Sequence, residues 1–246
     1  MASAHIEEIL PGRATTRLVP AVPAFPRGDA LPVRGLLRLP GVYRPQADSC
    51  LLASVIRATT VPARASALDL CTGTGVLALV LARTGAESVL AVDLSRLALC
   101  SARMNGAVRR LPVRTRRGGL PTAVTNGPYD LVAANPPYVP CPPVTDRTLM
   151  SCDAGPDGRA VLDPLCEQAP ALLAPEGQLL LVHSTMSDVD RSRELLEAGG
   201  LRTSIAAKAV VPFGPVVSGR LEFLVEHGFV APDARDEELV VLRAQR

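Results

Sequence analysis

Ala67-Leu68-Asp69-Leu70-Cys71-Thr72-Gly73-Thr74-Gly75-Val76-Leu77-Ala78 is the stretch on which the fold turns. An apolar run interrupted by one aspartate ends in a glycine-rich turn, and a helical pattern follows through Arg83. Strand, tight loop and helix in that order form the first unit of an open α/β sheet. In such sheets ligands bind beyond the carboxyl ends of the strands, where helix N-termini present unpaired N–H groups and glycine admits close backbone approach. Gly73 and Gly75 occupy that position.

Working outward, Ser88-Val89-Leu90-Ala91-Val92-Asp93 reads as a second, buried strand, and Ser95 opens a helix to about Val108. A third strand is expected within 112–118. Tyr129-Asp130-Leu131-Val132-Ala133-Ala134 is a fourth, ending directly at Asn135. Upstream, Leu51, Leu52, Val55 and Ile56 recur at helical spacing behind Asp48 and Ser49, which can cap a helix over about 48–60. Downstream, helices near 160–174 and 187–198 flank a strand from Gln178 to His183. Segments 203–211 and 220–226, with Gly214 and Pro215 between them, read as an antiparallel hairpin at the sheet edge. Strands separated by helices at this spacing imply right-handed crossovers and a seven-stranded, mostly parallel sheet. Repeated prolines from Pro11 to Pro40 suit an extended arm. The expected organisation is therefore an arm over 1–40, one domain over 41–228 and a charged tail over 229–246.

Composition removes several functions. The net charge of +2 is too slight for a nucleic-acid signature, although Arg109, Arg110, Arg114, Arg116 and Arg117 cluster; a solvated loop is the simpler reading. Three tyrosines, four phenylalanines and no tryptophan leave little material for a base-stacking platform. No run of about 18 apolar residues is free of charge or proline, so no membrane span is expected. The N-terminus lacks a basic segment followed by an apolar one, which points to a cytoplasmic location. The cysteines include no C-x-x-C pair and His5, His183 and His227 are scattered, so free thiols and no metal site are expected.

Gly73-Thr74-Gly75-Val76-Leu77-Ala78 also spells G-x-G-x-x-A, and Asp93 follows at the distance of a ribose-binding acid, so the glycines alone do not separate NAD from S-adenosylmethionine (SAM). Asp69 favours SAM. A carboxylate just before the turn repels a pyrophosphate but can orient a methionine ammonium. The plainer alternatives are turn-capping by Asp69 and helix-capping by Asp93.

Asn135-Pro136-Pro137-Tyr138 should emerge on the same sheet edge as the glycine loop. A planar NH2 nitrogen is a poor nucleophile because its lone pair is delocalised, and deprotonating it at neutral pH is too costly for an ordinary base. Geometry must then activate it. The Asn135 side-chain oxygen and the Pro136 carbonyl can each accept one N–H, leaving the nitrogen's face toward a sulfonium methyl. The prolines stiffen the loop, and Tyr138 can stack on the planar group. A plain turn is the alternative reading of Asn-Pro-Pro.

Asp69-Leu70-Cys71-Thr72-Gly73-Thr74-Gly75, Asp93 and Asn135-Pro136-Pro137-Tyr138 together resemble the Rossmann-like class I N-methyltransferases of the HemK type, which modify a release-factor glutamine at N5. Val42-Tyr43-Arg44-Pro45-Gln46-Ala47-Asp48 looks like the V-Y-x-P-x-x-D entry of the eukaryotic and archaeal-like branch. Ala154-Gly155-Pro156-Asp157-Gly158-Arg159 resembles its G-x-x-G-R segment. The resemblance covers about residues 40–228. It implies SAM contacts at Asp69, Cys71, Thr72, Gly73, Gly75, Asp93, Leu94, Gly119 and Asn135, with Tyr43 and Asp48 near the cofactor. It also implies that Asn135, Pro136, Pro137 and Tyr138 hold the substrate amide. The chain departs from the family pattern at Gly119, where an aspartate is usual, and at Cys152, where relatives often carry an aromatic residue.

Protein glutamine methylation, most naturally of a release-factor G-G-Q loop, is the leading expectation. N-methylation of a small metabolite comes second. Adenine N6-methylation of nucleic acid ranks lower, because no recognition domain or surplus of aromatics is present to extrude a base. A non-enzymatic NAD-binding module is last. The sequence gives no oligomeric state.

Overall fold

Strand β1 (Ser66–Leu70) is buried over Ala67–Leu70, as a central parallel strand covered on both faces must be. In this computed structural model, which describes residues 33–142 and 154–246, β1 pairs in parallel with β2 (Ser88–Asp93) on one side and β4 (Tyr129–Ala134) on the other. Outside them lie β3 (Val113–Arg117), beside β2, and β5 (Leu173–Ser184), beside β4, also parallel. The whole sheet runs β3-β2-β1-β4-β5-β7-β6. Chain order reverses at β1, so the crevice between β1 and β4 is the point where ligands bind.

Helices cover the sheet. α1 (Ala47–Ala58) buries Leu51, Leu52, Val55 and Ile56 at the spacing read from the sequence. α2 (Val76–Arg83) buries every residue from Val76 to Leu81, which explains an apolar pattern with no polar stripe. α3 (Arg96–Val108) begins at Ser95, whose hydroxyl accepts from Ala98 N at 3.3 Å. A short α4 (Leu120–Thr125), unexpected from the sequence, follows β3. α5 (Leu162–Leu172) and α6 (Val189–Ala198) match their expected helices to within two residues at each end. Residues 1–32 of the arm and Cys152 lie outside the described residues. Residues 33–40 lie along α3, where Asn105 grips Leu37 through both its backbone N–H and carbonyl, at 2.8 and 2.7 Å.

The C-terminal hairpin exists, but with a different second strand. β6 (Arg202–Pro212) occupies the expected position. Segment 220–226, expected as its partner, is instead helix α8 (Leu221–Glu226), preceded by α7 (Pro215–Gly219). Leu221, Leu224 and Val225 fit a helical stripe as well as Leu221, Phe223 and Val225 fit an alternating strand, and Glu222 and Glu226 share the polar side. The true partner is β7 (Asp236–Gln245), inserted antiparallel between β5 and β6. Those residues fall in the stretch expected to be a charged tail. Asp236, Glu237 and Glu238 disguise the apolar run Leu239-Val240-Val241-Leu242, which is fully buried. No helix among the described residues is long and apolar enough to cross a membrane.

Candidate active site

The loop after β1 makes three left-handed steps, at Cys71 (φ 62°), Gly73 (φ 53°) and Gly75 (φ 80°). At Gly75 glycine is needed twice over. Its φ is positive, and a Cβ there would stand 2.8 Å from Ala102 Cα, so α2 and α3 could not meet as they do. Beneath the loop Asp69 is wholly buried, and its Oδ2 accepts from the Thr72 hydroxyl and from Ala78 N at 2.8 Å. Those are the contacts of a turn-capping aspartate. Its Oδ1 has no partner, and burial pushes the carboxyl up to about 7 against the pull of Thr72 and Ala78. Asp93, at the end of β2, accepts from Gly73 N at 2.9 Å and from Ser95 N at 2.8 Å, one bond per oxygen. It thus ties the glycine loop to the start of α3 while keeping lone pairs for two ribose hydroxyls. Gly73 and Asp93 both line a cleft at this sheet edge, and a Cβ at Gly73 would meet nothing within 4 Å, which leaves backbone open to a ligand. An adenosyl ribose and methionine chain fit this cradle.

The loop after β4 opens on the same cleft. Asn135, Pro136, Pro137 and Tyr138 all line it, together with Tyr43, Asp48 and Cys71. Asn135 Nδ2 donates to the Ser49 hydroxyl on α1 at 3.2 Å, which commits the amide's nitrogen and leaves its oxygen as the free acceptor. Asp48 gathers the aromatic residues. The Tyr43 hydroxyl donates to its Oδ2 at 2.8 Å and the Tyr138 hydroxyl at 3.5 Å, while Gln46 Nε2 donates to Tyr43 at 3.1 Å. Burial first, and then the Asp48 charge, raise both phenols above their usual range, so they act as donors and not as bases. Behind the loop, the Ser187 hydroxyl donates to the Tyr138 carbonyl. Arg159, 4 % exposed, holds Ser187 and Asp188 through their carbonyls and Ser192 through its hydroxyl. Gly158 (φ 77°) passes so close that a Cβ would lie 2.2 Å from the Tyr138 carbonyl oxygen.

A family model described as a methyltransferase small domain matches residues 35–206, which contain both loops. The chain belongs to that family. Among its relatives, the release factor glutamine methyltransferase of Deinococcus radiodurans is 40% identical over 140 residues, 54% of this chain and 50% of the relative. The 4-amino-L-phenylalanine/4-methylamino-L-phenylalanine methyltransferase of Streptomyces pristinaespiralis is 34% identical over 165 residues, 59% of this chain and 55% of the relative. The chain spans about half the length of each. The solved Mtq2–Trm112 complex of E. cuniculi, described as responsible for methylating the termination factor eRF1, aligns with a TM-score of 0.57 at 20% identity over 84% of this chain and 99% of that one, a likeness of fold. The chain is a SAM-dependent methyltransferase with the Rossmann-like class I fold.

In this methyltransferase the cleft brings together Tyr43, Asp48, Cys71, Gly73, Asp93 and the whole Asn135–Tyr138 loop. Asp69, Thr72 and Gly75 stand one layer below and shape the loop from beneath. Leu94 and Gly119 do not line the cleft; they touch each other beside Asp93, with Leu94 Cδ2 3.8 Å from where a Gly119 Cβ would stand. Ser187 and Glu237 were not singled out from the sequence, and Ser49 was read only as a helix cap. Ser49 adjoins the V-Y-x-P-x-x-D entry, and its place facing Asn135, 86 residues away, is visible only once the chain is folded.

Proposed function

We propose that the protein transfers a methyl group from SAM to the side-chain amide nitrogen of a protein glutamine, with a release-factor G-G-Q loop as the substrate. Bound in the cleft, SAM supplies an electrophilic methyl on a sulfonium. Asp93 and the Gly73 backbone hold the adenosyl and methionine parts, and Asp48 with Tyr43 closes the side near α1. The Asn135 side-chain oxygen and the Pro136 carbonyl take the two N–H groups of the substrate amide and fix the nitrogen's face. Tyr138 covers the planar group and excludes water. The Asn135–Ser49 hydrogen bond carries the reading, because it occupies the amide nitrogen of a residue that lines the cleft and leaves the amide oxygen as the acceptor.

Labelled SAM offered to a release factor, to nucleic acid and to aromatic amines tests it, with mass spectrometry of the product. Glutamine labelling is expected. Asn135→Ala should lower transfer by at least about 100-fold while SAM affinity stays within about threefold. Full activity in that variant, or label confined to nucleic acid, contradicts the proposal. Likeness to the 4-amino-L-phenylalanine enzyme favours a second reading, in which the same two oxygens align an aromatic amine.

A further inference from the structure

The acceptor side of the cleft holds a carboxylate that this chemistry does not use. β7 enters the sheet beside the end of β6, with Glu237 opposite Val211 and Leu239 opposite Ser184, the last residue of β5. The register sets Glu237 at the carboxyl edge of the parallel strands, on the far side of β5 from the Asn135 loop. Its side chain is 9 % exposed and lines the same cleft as Asn135 and Tyr138. Among the described residues its Oε2 meets no donor. A buried acceptor left without a partner is destabilising, so a donor that arrives with a ligand recovers that loss.

The neighbours do not supply one. Asp48, on α1, already receives the hydroxyls of Tyr43 and Tyr138 and adds like charge. Ser184, at the end of β5, hydrogen-bonds to the Glu237 side chain and lowers its pKa, but burial dominates and raises it to about 7. His183 on β5 is kept neutral by burial, at about 4. Arg220, between α7 and α8, lines the cleft and donates to the Val139 carbonyl at 2.6 Å. The cleft that Glu237 lines also has apolar wall residues, among them Val211, Val216, Val217 and Leu239.

We infer that Glu237 is a specificity-determining residue of the acceptor site: its Oε2 accepts a hydrogen bond from an N–H of the acceptor beside the nitrogen being methylated. The backbone N–H of the modified glutamine is such a donor. An acceptor carrying a carboxylate there is refused, because two buried carboxylates repel and neither is solvated. No bond is made or broken at Glu237. The inference rests on N-methyl transfer at the Asn135 loop but not on which NH2 compound is methylated.

Wild type, Glu237→Ala and Glu237→Gln are compared first by calorimetry with S-adenosylhomocysteine, whose affinity should stay within about threefold across the three. With release factor as substrate, Glu237→Ala should lower kcat/KM by about 30-fold, mostly through KM, and Glu237→Gln, which keeps an acceptor oxygen, by less. In the wild type log kcat/KM at saturating SAM should rise with pH through about 7 as Glu237 ionises, and in Glu237→Gln that limb should flatten. An unchanged KM in Glu237→Ala overturns the inference. So does an equal loss of S-adenosylhomocysteine affinity, which would assign Glu237 to the cofactor. If wild type leaves release factor unlabelled but methylates an aromatic amino acid's amine, the glutamine reading falls and the same variants decide Glu237 with that substrate. A wild type that methylates neither overturns both.

Discussion

Asp69 illustrates how far a single residue can be read. Its carboxylate just ahead of the glycine turn pointed to SAM over NAD, and the methyltransferase family match agrees with the cofactor. Its contacts, however, go to Thr72 and Ala78 under the loop, so any influence on the methionine end passes through the backbone it holds. Side-chain direction at a strand end depends on what the next helix offers, and the N–H of Ala78 in the first turn of α2 was the nearer donor. The consequence is measurable. Burial raises Asp69 to about 7 in the folded state, whereas it is ordinary in the unfolded chain. The folded form therefore binds the proton more tightly, and the stability this contributes is complete below about pH 4 and lost as pH rises through 7. Relative to Asp69→Asn, the ligand-free wild type should lose up to about 4 kcal/mol between pH 4 and 8. Thermal melts of the two proteins across that range check it; a gap that does not vary with pH shows Asp69 to be ionised when folded.

Elements whose apolar residues keep one period were legible, and those with mixed signals were not. β1, β2, β4, α1 and α3 fall where the spacing put them because each buries a single uninterrupted face or run. α8 failed because its six residues satisfy both periods, and β7 because three acidic residues lead it. The position of the Asn135–Tyr138 loop after β4 was legible, but its bracing was not: Ser187 bonds to it from 49 residues away, and Arg159 holds Ser187 from 28 residues away. The brace makes a prediction. Gly158→Ala forces a methyl toward the Tyr138 carbonyl and strains a left-handed φ, so the Asn135–Tyr138 loop must shift. A displacement near 1 Å in a positioning loop lowers kcat by about 100-fold, and SAM affinity should remain within about threefold because the glycine loop is untouched. Single-turnover rates beside calorimetric SAM binding provide the measurement; normal single-turnover rates would show that the loop tolerates the displacement.

At the scale of the molecule, the C-terminal strand completes both the sheet and the cleft. Leu239, Val240, Val241 and Leu242 are each no more than 1 % exposed, and β7 is the sole link in the sheet between β5 and β6. Burying one such side chain stabilises by about 1.5–3 kcal/mol, so four amount to about 6–12 kcal/mol. That is comparable with the whole stability of an ordinary domain, roughly 5–15 kcal/mol. A charged tail would be dispensable; a strand between two others is not. Deleting residues 236–246 should abolish the cooperative thermal transition and leave the protein insoluble, because β5 and β6 would then present unpaired apolar edges. Replacing only the acidic head, with Asp236 and Glu238 changed to asparagine and glutamine, should leave the transition within a few degrees, since both are at least partly exposed and Glu238 pairs with the exposed Lys208. Circular dichroism melts of the deletion and the double variant distinguish a structural strand from an appended tail, and a deletion that melts like the full chain would mean that the β5–β6 gap closes without β7.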